Sequence, residues 1–332
     1  MSRMTSTSLI GIALLLSSTS VLAESARDIT NLVLADRTAE CADYVGDYHS
    51  HVTDLGQELA FEGRVNLSAD DETCTLTVNQ IPNHDFGSAN IRWPADAAEV
   101  SDEIRVPRNP KPAPEPTSIG LTPAAILLNG VKWETNPAAC FGEGPQRPGR
   151  ERVGCGHRFV DHPWRYNVGS PLNEFQFDSY HAHVQRGGMY HYHATPRVLY
   201  STDAQTFDDA ACAQAGPSPV IGFALDGFPL FGPCITADDG SVRAARSSYV
   251  LRSGERQEVD GYETPYVTGL VKTSTYNGQF TGDFEYMDGA GDLDVCNGMT
   301  VDGQYGYYVT DDFPYAIRCF TGTPIETFQP RQ

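Results

Sequence analysis

The residues best placed to do chemistry lie in one sixteen-residue stretch, Asp178-Ser-Tyr-His-Ala-His-Val-Gln-Arg-Gly-Gly-Met-Tyr-His-Tyr-His193, which holds four of the chain's nine histidines. His181, His183, His191 and His193 form two His-x-His pairs. In a strand, alternate side chains share a face, so each pair sets two imidazoles side by side. Gln185-Arg-Gly-Gly188 between the pairs reads as a hairpin turn. Loop parity then decides the chemistry. An odd loop, Arg186 to Gly188 or Val184 to Gly188, sets His183 opposite His191 and His181 opposite His193, with all rings on one face. An even loop sets each histidine against a tyrosine instead. Three-residue loops with a left-handed glycine are common, so the convergent arrangement is expected. Neutral imidazole suits zinc, copper, iron and nickel. Copper is favoured over zinc, because the chain reads as exported and no carboxylate other than Asp178 stands close to these histidines. Asp178 is a candidate ligand, or an acceptor for the second N–H of a ligating ring. His84, at the turn Ile81-Pro-Asn-His84, is a candidate ligand from outside the hairpin.

The elements that must position these residues read as short strands. Thr73 to Asn79 alternates cleanly and is a strand. Pro123 to Gly130 is an apolar strand ending in an Asn-Gly turn. Val220 to Gly232 is the strongest core signal, two apolar strands joined at Asp226-Gly227. Helices are few: Ser25 to Glu40 offers an apolar stripe, and Asp203 to Ala215 is alanine-rich and stopped by Gly216-Pro217. Arg105 to Ser118 carries five prolines and is an extended connector. Residues 137 to 170 read as loop. Tyr48-His-Ser-His51 repeats the Tyr-His-x-His pattern and reads as a polar surface turn. Strand alternation sends Tyr190 and Tyr192 to the core. The fold class expected is mainly β, an irregular β-sandwich or barrel-like domain with short strands, long loops, few short helices and disulfides.

An internal echo bears on whether the histidines build the hairpin or use it. Gly188-Met-Tyr-His-Tyr-His-Ala-Thr195 aligns with Gly303-Gln-Tyr-Gly-Tyr-Tyr-Val-Thr310, and Asp178-Ser-Tyr-His181 with Asp294-Val-Cys-Asn297. The second copy carries Asn297, Gly306 and Tyr308 in place of His181, His191 and His193. A hairpin that forms without histidines does not need them to fold.

Residues 1–23 read as a secretory signal, with Arg3, the apolar run Leu9 to Leu16, and cleavage after Ala23. No later segment approaches the ~20 apolar residues of a membrane span. The organisation expected is signal peptide 1–23, N-terminal extension 24–77, main domain 78–322 and C-terminal tail 323–332, with a secreted or periplasmic location. Eight cysteines without a Cys-x-x-Cys fit disulfides in an exported chain. The simplest pairing joins sequence neighbours, 41–74, 140–155, 212–234 and 296–319, among many possible connectivities. The chain has 43 acidic against 23 basic residues and a net charge of −20, which argues against nucleic acid or an anionic membrane as partner. Gly-x-Ser-x-Gly, His-Glu-x-x-His and phosphate-cradling glycine loops are absent.

Tyr190-His-Tyr-His193 resembles the signature of the YHYH-domain proteins, a mostly bacterial exported family. The resemblance extends through Ile81-Pro-Asn-His84, Leu128-Asn-Gly-Val131, Ile221 to Pro229, Leu293-Asp-Val-Cys-Asn-Gly298 and Tyr308-Val-Thr310 to Phe313-Pro-Tyr315. It covers roughly residues 78 to 322 and implies motif roles for His84, Asp178, His181, His191 and His193, but no particular reaction. His183 rests on the spacing argument. Three functions follow as expectations. The first is an exported metal-binding protein for copper or zinc, serving metal handling or homeostasis. The second is a metalloenzyme, a copper oxidoreductase or metal-assisted hydrolase, with an open coordination position. The third is a metal-free, disulfide-stapled β module that binds a polymer or protein partner.

Overall fold

A computed structural model describes residues 26–156, 159, 161–201 and 207–325. The signal sequence expected at 1–23 and the first part of the helix read at Asp203 lie outside these. The chain is mainly β, and among the described residues its sheets stay open rather than closing into a barrel. A five-stranded sheet is built from β1 (Arg27–Asp28), β2 (Gly46–Asp54), β3 (Leu59–Ala69), β4 (Thr73–Val78) and β5 (Asp102–Pro107), in that order. The boundary drawn at 77/78 falls within this sheet, at the end of β4. Tyr48 to His51 lies inside β2, so the expected surface turn is a strand. Residues 29–40 are not helical; a single 3-10 turn at Cys41–Tyr44 follows them. Of the apolar positions of that segment Ile29 is buried and Leu34 packs against the sheet core, while Leu32 is exposed.

After a short β6 (Thr117–Ser118), an eight-stranded sheet forms the centre of the molecule. Its strands are β7 (Ala125–Leu127), β8 (Lys132–Trp133), β9 (Ala182–Val184), β10 (Tyr190–Tyr192), β11 (Val220–Ala224), β12 (Pro229–Phe231), β17 (Gly298–Val301) and β18 (Gln304–Tyr308). Their order is β17-β18-β12-β11-β7-β8-β10-β9. Smaller pairs flank it: β13 (Cys234–Thr236) with β14 (Val242–Ala244), β15 (Tyr249–Leu251) with β16 (Phe284–Tyr286), and β6 with β19 (Cys319–Phe320). The one α-helix among the described residues is α1 (Asp209–Ala215), capped by the Asp208 carboxylate on Ala211 N–H. One buried cluster unites both large sheets, with Tyr44 and Leu76 of the first part beside Phe223 and Ile126 of the second. All four disulfides join sequence neighbours: Cys41–Cys74, Cys140–Cys155, Cys212–Cys234 and Cys296–Cys319.

The large sheet is a two-fold repeat of one four-stranded unit. In each half an antiparallel hairpin (β7-β8, β11-β12) pairs through its second strand, in parallel, with a later hairpin (β9-β10, β17-β18). The first hairpins turn alike. Leu127 N–H reaches Val131 O at 3.0 Å and Gly130 N–H reaches Leu127 O at 2.9 Å; Ala224 reaches Phe228 at 2.9 Å and Gly227 reaches Ala224 at 2.8 Å. Both turns need φ near +80 to +90°, where glycine is unstrained: Gly130 has φ +82° and Gly227 +91°. The halves meet at β7-β11, where Ile126 faces Phe223 on the local axis. Leu225 N–H bonds Ala124 O at 3.0 Å and Leu128 N–H bonds Ile221 O at 2.9 Å, so each half makes the same reach into the other.

The echo between the second hairpins is therefore structural. Asp178 Oδ1 accepts from Tyr180 N–H at 2.9 Å and Ala182 N–H at 3.2 Å, and Oδ2 from Tyr190 O–H at 2.9 Å. Asp294 repeats the set with Cys296 N–H at 2.9 Å, Gly298 N–H at 2.9 Å and Tyr305 O–H at 3.0 Å. His181 and Asn297 occupy the same left-handed turn, at φ +56° and +67°. These are positions where a short polar side chain is tolerated.

Candidate metal centre

The hairpin register is the convergent one. His191 pairs with His183, Tyr190 with Val184 and Tyr192 with Ala182, across a loop closed by Gln185 N–H to Met189 O at 3.1 Å. Alternation along β10 puts His191 and the next-but-one His193 on the same face as His183. Their Nε2 atoms converge. His183 to His191 is 3.1 Å, His191 to His193 is 2.9 Å, and His193 to His183 is 3.2 Å. The three rings form the one all-histidine group among the described residues with ligand atoms close enough to share an ion. The other grouping, Glu40 with Cys41 and Cys74, has its sulfurs joined in a disulfide.

The remaining candidates are not brought into the cluster. His181 stands opposite His193, whose N–H bonds the His181 carbonyl at 2.9 Å, as the parity argument requires. Its left-handed backbone, however, swings the ring away from the others, and Nδ1 meets Thr195 O at 3.1 Å. Asp178 accepts from Tyr180, Ala182 and Tyr190 and from Gly87 N–H at 3.1 Å, which ties the hairpin to the loop after β4. His84 lies on the opposite side of β10, with Nδ1 at 2.7 Å from Asp85 O and Nε2 at 2.6 Å from the Tyr192 hydroxyl. Both of its nitrogens are engaged, and burial pushes its pKa down to about 4. Tyr190 and Tyr192 are fully buried on that same side. The Tyr192 oxygen also accepts from Asn129 at 3.0 Å, as Tyr307 in the second half bonds Asp226 at 2.6 Å.

Glu134 is the site residue that the spacing of histidines could not reveal. β8 runs parallel to β10 with Lys132 beside His191 and Trp133 beside Tyr192, and Glu134 N–H continues the ladder to Tyr192 O at 2.8 Å. Glu134 thus stands next to His193 on the histidine face, and its carboxylate comes to 3.7 Å from His191 Nε2. The turn at Asn129-Gly130 signals a return strand through Glu134. The parallel pairing with a strand some sixty residues on has no local signal.

The electrostatics keep the imidazoles neutral. Burial holds His183 down to about 4, and burial plus the neighbouring rings hold His191 and His193 well below the usual histidine range. Burial pushes Glu134 up to about 7, against the pull of Lys132. Three neutral rings with facing nitrogens cannot satisfy one another. Each Nε2 is either a donor or an acceptor, so protons can bridge at most two of the three contacts. One cation accepts all three lone pairs. An ion bound at ~2.0–2.1 Å in tetrahedral geometry needs ligand nitrogens about 3.3 Å apart, and the observed spacing falls short of that by a few tenths of an ångström.

The nitrogens line a cavity of about 690 Å³, with Glu134 on its wall. Phe177 packs against two of the three rings, 5.3 Å from His183 and 5.2 Å from His193 by ring centroids. The three nitrogens would hold an ion from one side, and the side away from them is the cavity. Among the described residues no helix is long and apolar enough to cross a membrane. Residues 103–322 match a protein family described as YHYH protein. No curated protein and no solved structure matches the chain.

Proposed function

The chain belongs to the YHYH protein family, and from that premise we propose that it is an exported metal-binding protein whose His183, His191 and His193 hold one transition-metal ion, copper or zinc. The observation that carries this reading is the convergence of three Nε2 atoms, those of buried His191 and His193 and half-buried His183, within 2.9–3.2 Å of one another. Four disulfides support an oxidising compartment. An all-imidazole set accepts either metal. The Glu134 carboxylate removes one ground for preferring copper.

Between metal handling and catalysis, the cavity favours catalysis. A site for storage is closed by a fourth protein ligand, whereas a catalytic site keeps a position open. Here three ligands face open space with a carboxylate alongside. A bound ion of this kind supplies a positive centre that polarises an oxygen or acidifies a water. Glu134 is placed to take up a proton at its Oε atoms, and Phe177 shields the histidines from solvent.

Elemental analysis of the native protein, beside a variant with His183, His191 and His193 all changed to alanine, tests the reading. Wild type should carry about one equivalent of copper or zinc and the variant none, with the far-ultraviolet circular dichroism unchanged. Equal metal content in the two proteins would end the metal reading. Glu134→Gln should keep its ion. Azide should perturb the visible spectrum of the cobalt-substituted protein if a coordination position is open, and leave it unchanged if the site is closed.

A further inference from the structure

The cavity above the three histidines has walls that the metal reading leaves unexplained. Phe175 stacks on Phe177 at 5.4 Å, and the Arg152 guanidinium lies over Phe175 at 5.6 Å. A continuous stack thus runs from an exposed arginine to the ligating rings. Trp93 also lines the cavity, its indole N–H donating to the carbonyl of Gln176, between Phe175 and Phe177, at 3.0 Å. Arg92, beside Trp93, and Arg186, at the tip of the histidine hairpin, complete the rim.

Three guanidinium groups at one mouth are unexpected in this chain, which has 43 acidic and 23 basic residues. Carboxylates take up Arg64, Arg108, Arg197, Arg243, Arg246, Arg252 and Arg256 elsewhere. Arg27, Arg37, Arg105, Arg147, Arg150, Arg165 and Arg318 form no ion pair among the described residues, so it is the gathering of three at one cavity that is unusual. No ion pair is formed by Arg92, Arg152 or Arg186 among the described residues, although two carboxylates, Glu134 and Glu174, also line the cavity. Positive charge is concentrated here against the trend of the whole surface, and a divalent ion on the floor adds to it. Low-dielectric walls focus such a field. Guanidinium pairs with carboxylate and phosphate in a fixed fork. The volume suits a small molecule, and the aromatic walls suit a flat apolar body.

We propose that this cavity binds a small organic anion with an aromatic or similarly flat body, the charged group received by Arg92, Arg152 and Arg186 and the ring by Trp93, Phe175 and Phe177. The inference deepens the metal reading by naming the class of molecule that approaches the open side of the ion. Its own contacts do not need the ion.

The test is calorimetric titration of the full mature chain, metal-loaded and metal-free, with benzoate, phenylacetate and phenyl phosphate, each against its neutral amide or alcohol. At least one anion should bind about tenfold or more tightly than its neutral counterpart, and the preference should shrink as salt rises. The variant R92Q/R152Q/R186Q should reduce that preference to within about threefold while keeping the metal content and leaving the neutral compound unaffected. A second variant, Arg152→Lys, keeps the charge and should retain most of the preference. Equal affinity of anion and neutral partner, no binding by any of the probes, or an anion preference untouched in the triple variant would each overturn the proposal. Metal content is measured separately. A protein that takes up no metal yet discriminates anions defeats the metal reading alone, and a loaded protein without discrimination defeats only this one.

Discussion

On the proposed assignment, changing His183 to alanine removes one ligand and little else, so its expected effect on metal affinity follows from the site. Structural zinc sites contribute ~10–16 kcal/mol over four ligands, or roughly 3 kcal/mol for each. Losing one of three should weaken the dissociation constant by about two powers of ten. The structural cost is small. His183 is half-buried on the cavity wall, so its removal widens an existing space rather than opening a void in the core, and Met299 sits at the matching place in the second hairpin. The metal-free variant should therefore unfold within about 1 kcal/mol of metal-free wild type. At an ion concentration 100 times its dissociation constant, wild type gains ~2.7 kcal/mol, while the variant, with that concentration near its own constant, gains ~0.4 kcal/mol. The difference should appear as a melting temperature about 5 °C lower for the variant with metal present, and near coincidence without it. Chelator competition gives the affinities directly. His181→Ala serves as control, because its ring lies at Thr195 and should leave the affinity alone. Equal thermal stabilisation of both proteins by metal would refute the ligand assignment, and a collapse of the metal-free variant would refute the claim that the hairpin stands without its histidines.

Other consequences follow from the scaffold. Asp178→Ala and Asp294→Ala each strip a carboxylate from buried donors and should cost on the order of 2–4 kcal/mol in denaturant melts, but only Asp178→Ala should also weaken metal binding; equal metal affinity in the two would disconnect that anchor from the site. His84 is buried neutral with its pKa lowered from 6.5 to about 4, so the unfolded chain binds more protons between those values and stability should fall as pH drops through that window. His84's share of the loss is on the order of 3 kcal/mol by pH 4, and His84→Gln should reduce the slope there by one proton, His162 and His183 supplying others; an unchanged slope would assign it elsewhere. Removing Cys41–Cys74, which closes a loop with a sequence separation of 33, should cost about 3–4 kcal/mol by the loop-entropy relation without altering metal stoichiometry, as measured by melts and elemental analysis.

What the sequence made legible was local. Register within the hairpin follows from the parity of a short loop, and the pairing of His183 with His191 is a matter of counting. Disulfides between sequence neighbours and the glycine turns at Gly130 and Gly227 are likewise short-range. Three things were not legible. His181 has the right spacing, but a left-handed backbone at that one residue turns its ring aside. Glu134 reaches the site through a parallel pairing whose partners are far apart in sequence. The apolar positions of residues 29–40 fit a helical stripe, but the segment is not helical: Ile29 is buried while Leu32 lies exposed, so a tertiary contact at one position overrides the local pattern.

The two-fold sheet shows what the site positions look like when no chemistry is asked of them. The register that brings His193 beside Glu134 brings Tyr308 beside Phe231, and those rings stack at 5.1 Å. The place of His191 is taken by Gly306, where an added Cβ would lie 2.5 Å from the Phe231 ring. Met299 replaces His183. This scaffold can therefore close the same corner with an aromatic pair and a glycine, burying apolar surface at no polar cost. The first half instead buries two imidazoles and half-buries a third, with their nitrogens facing one another and a partly buried carboxylate alongside. Each buried polar group left without a partner costs on the order of 1–3 kcal/mol. Folding alone would favour the second arrangement in both halves. An ion that engages all three lone pairs at once offsets that cost, which is why the difference between the halves points to the histidines as ligands rather than as builders of the hairpin.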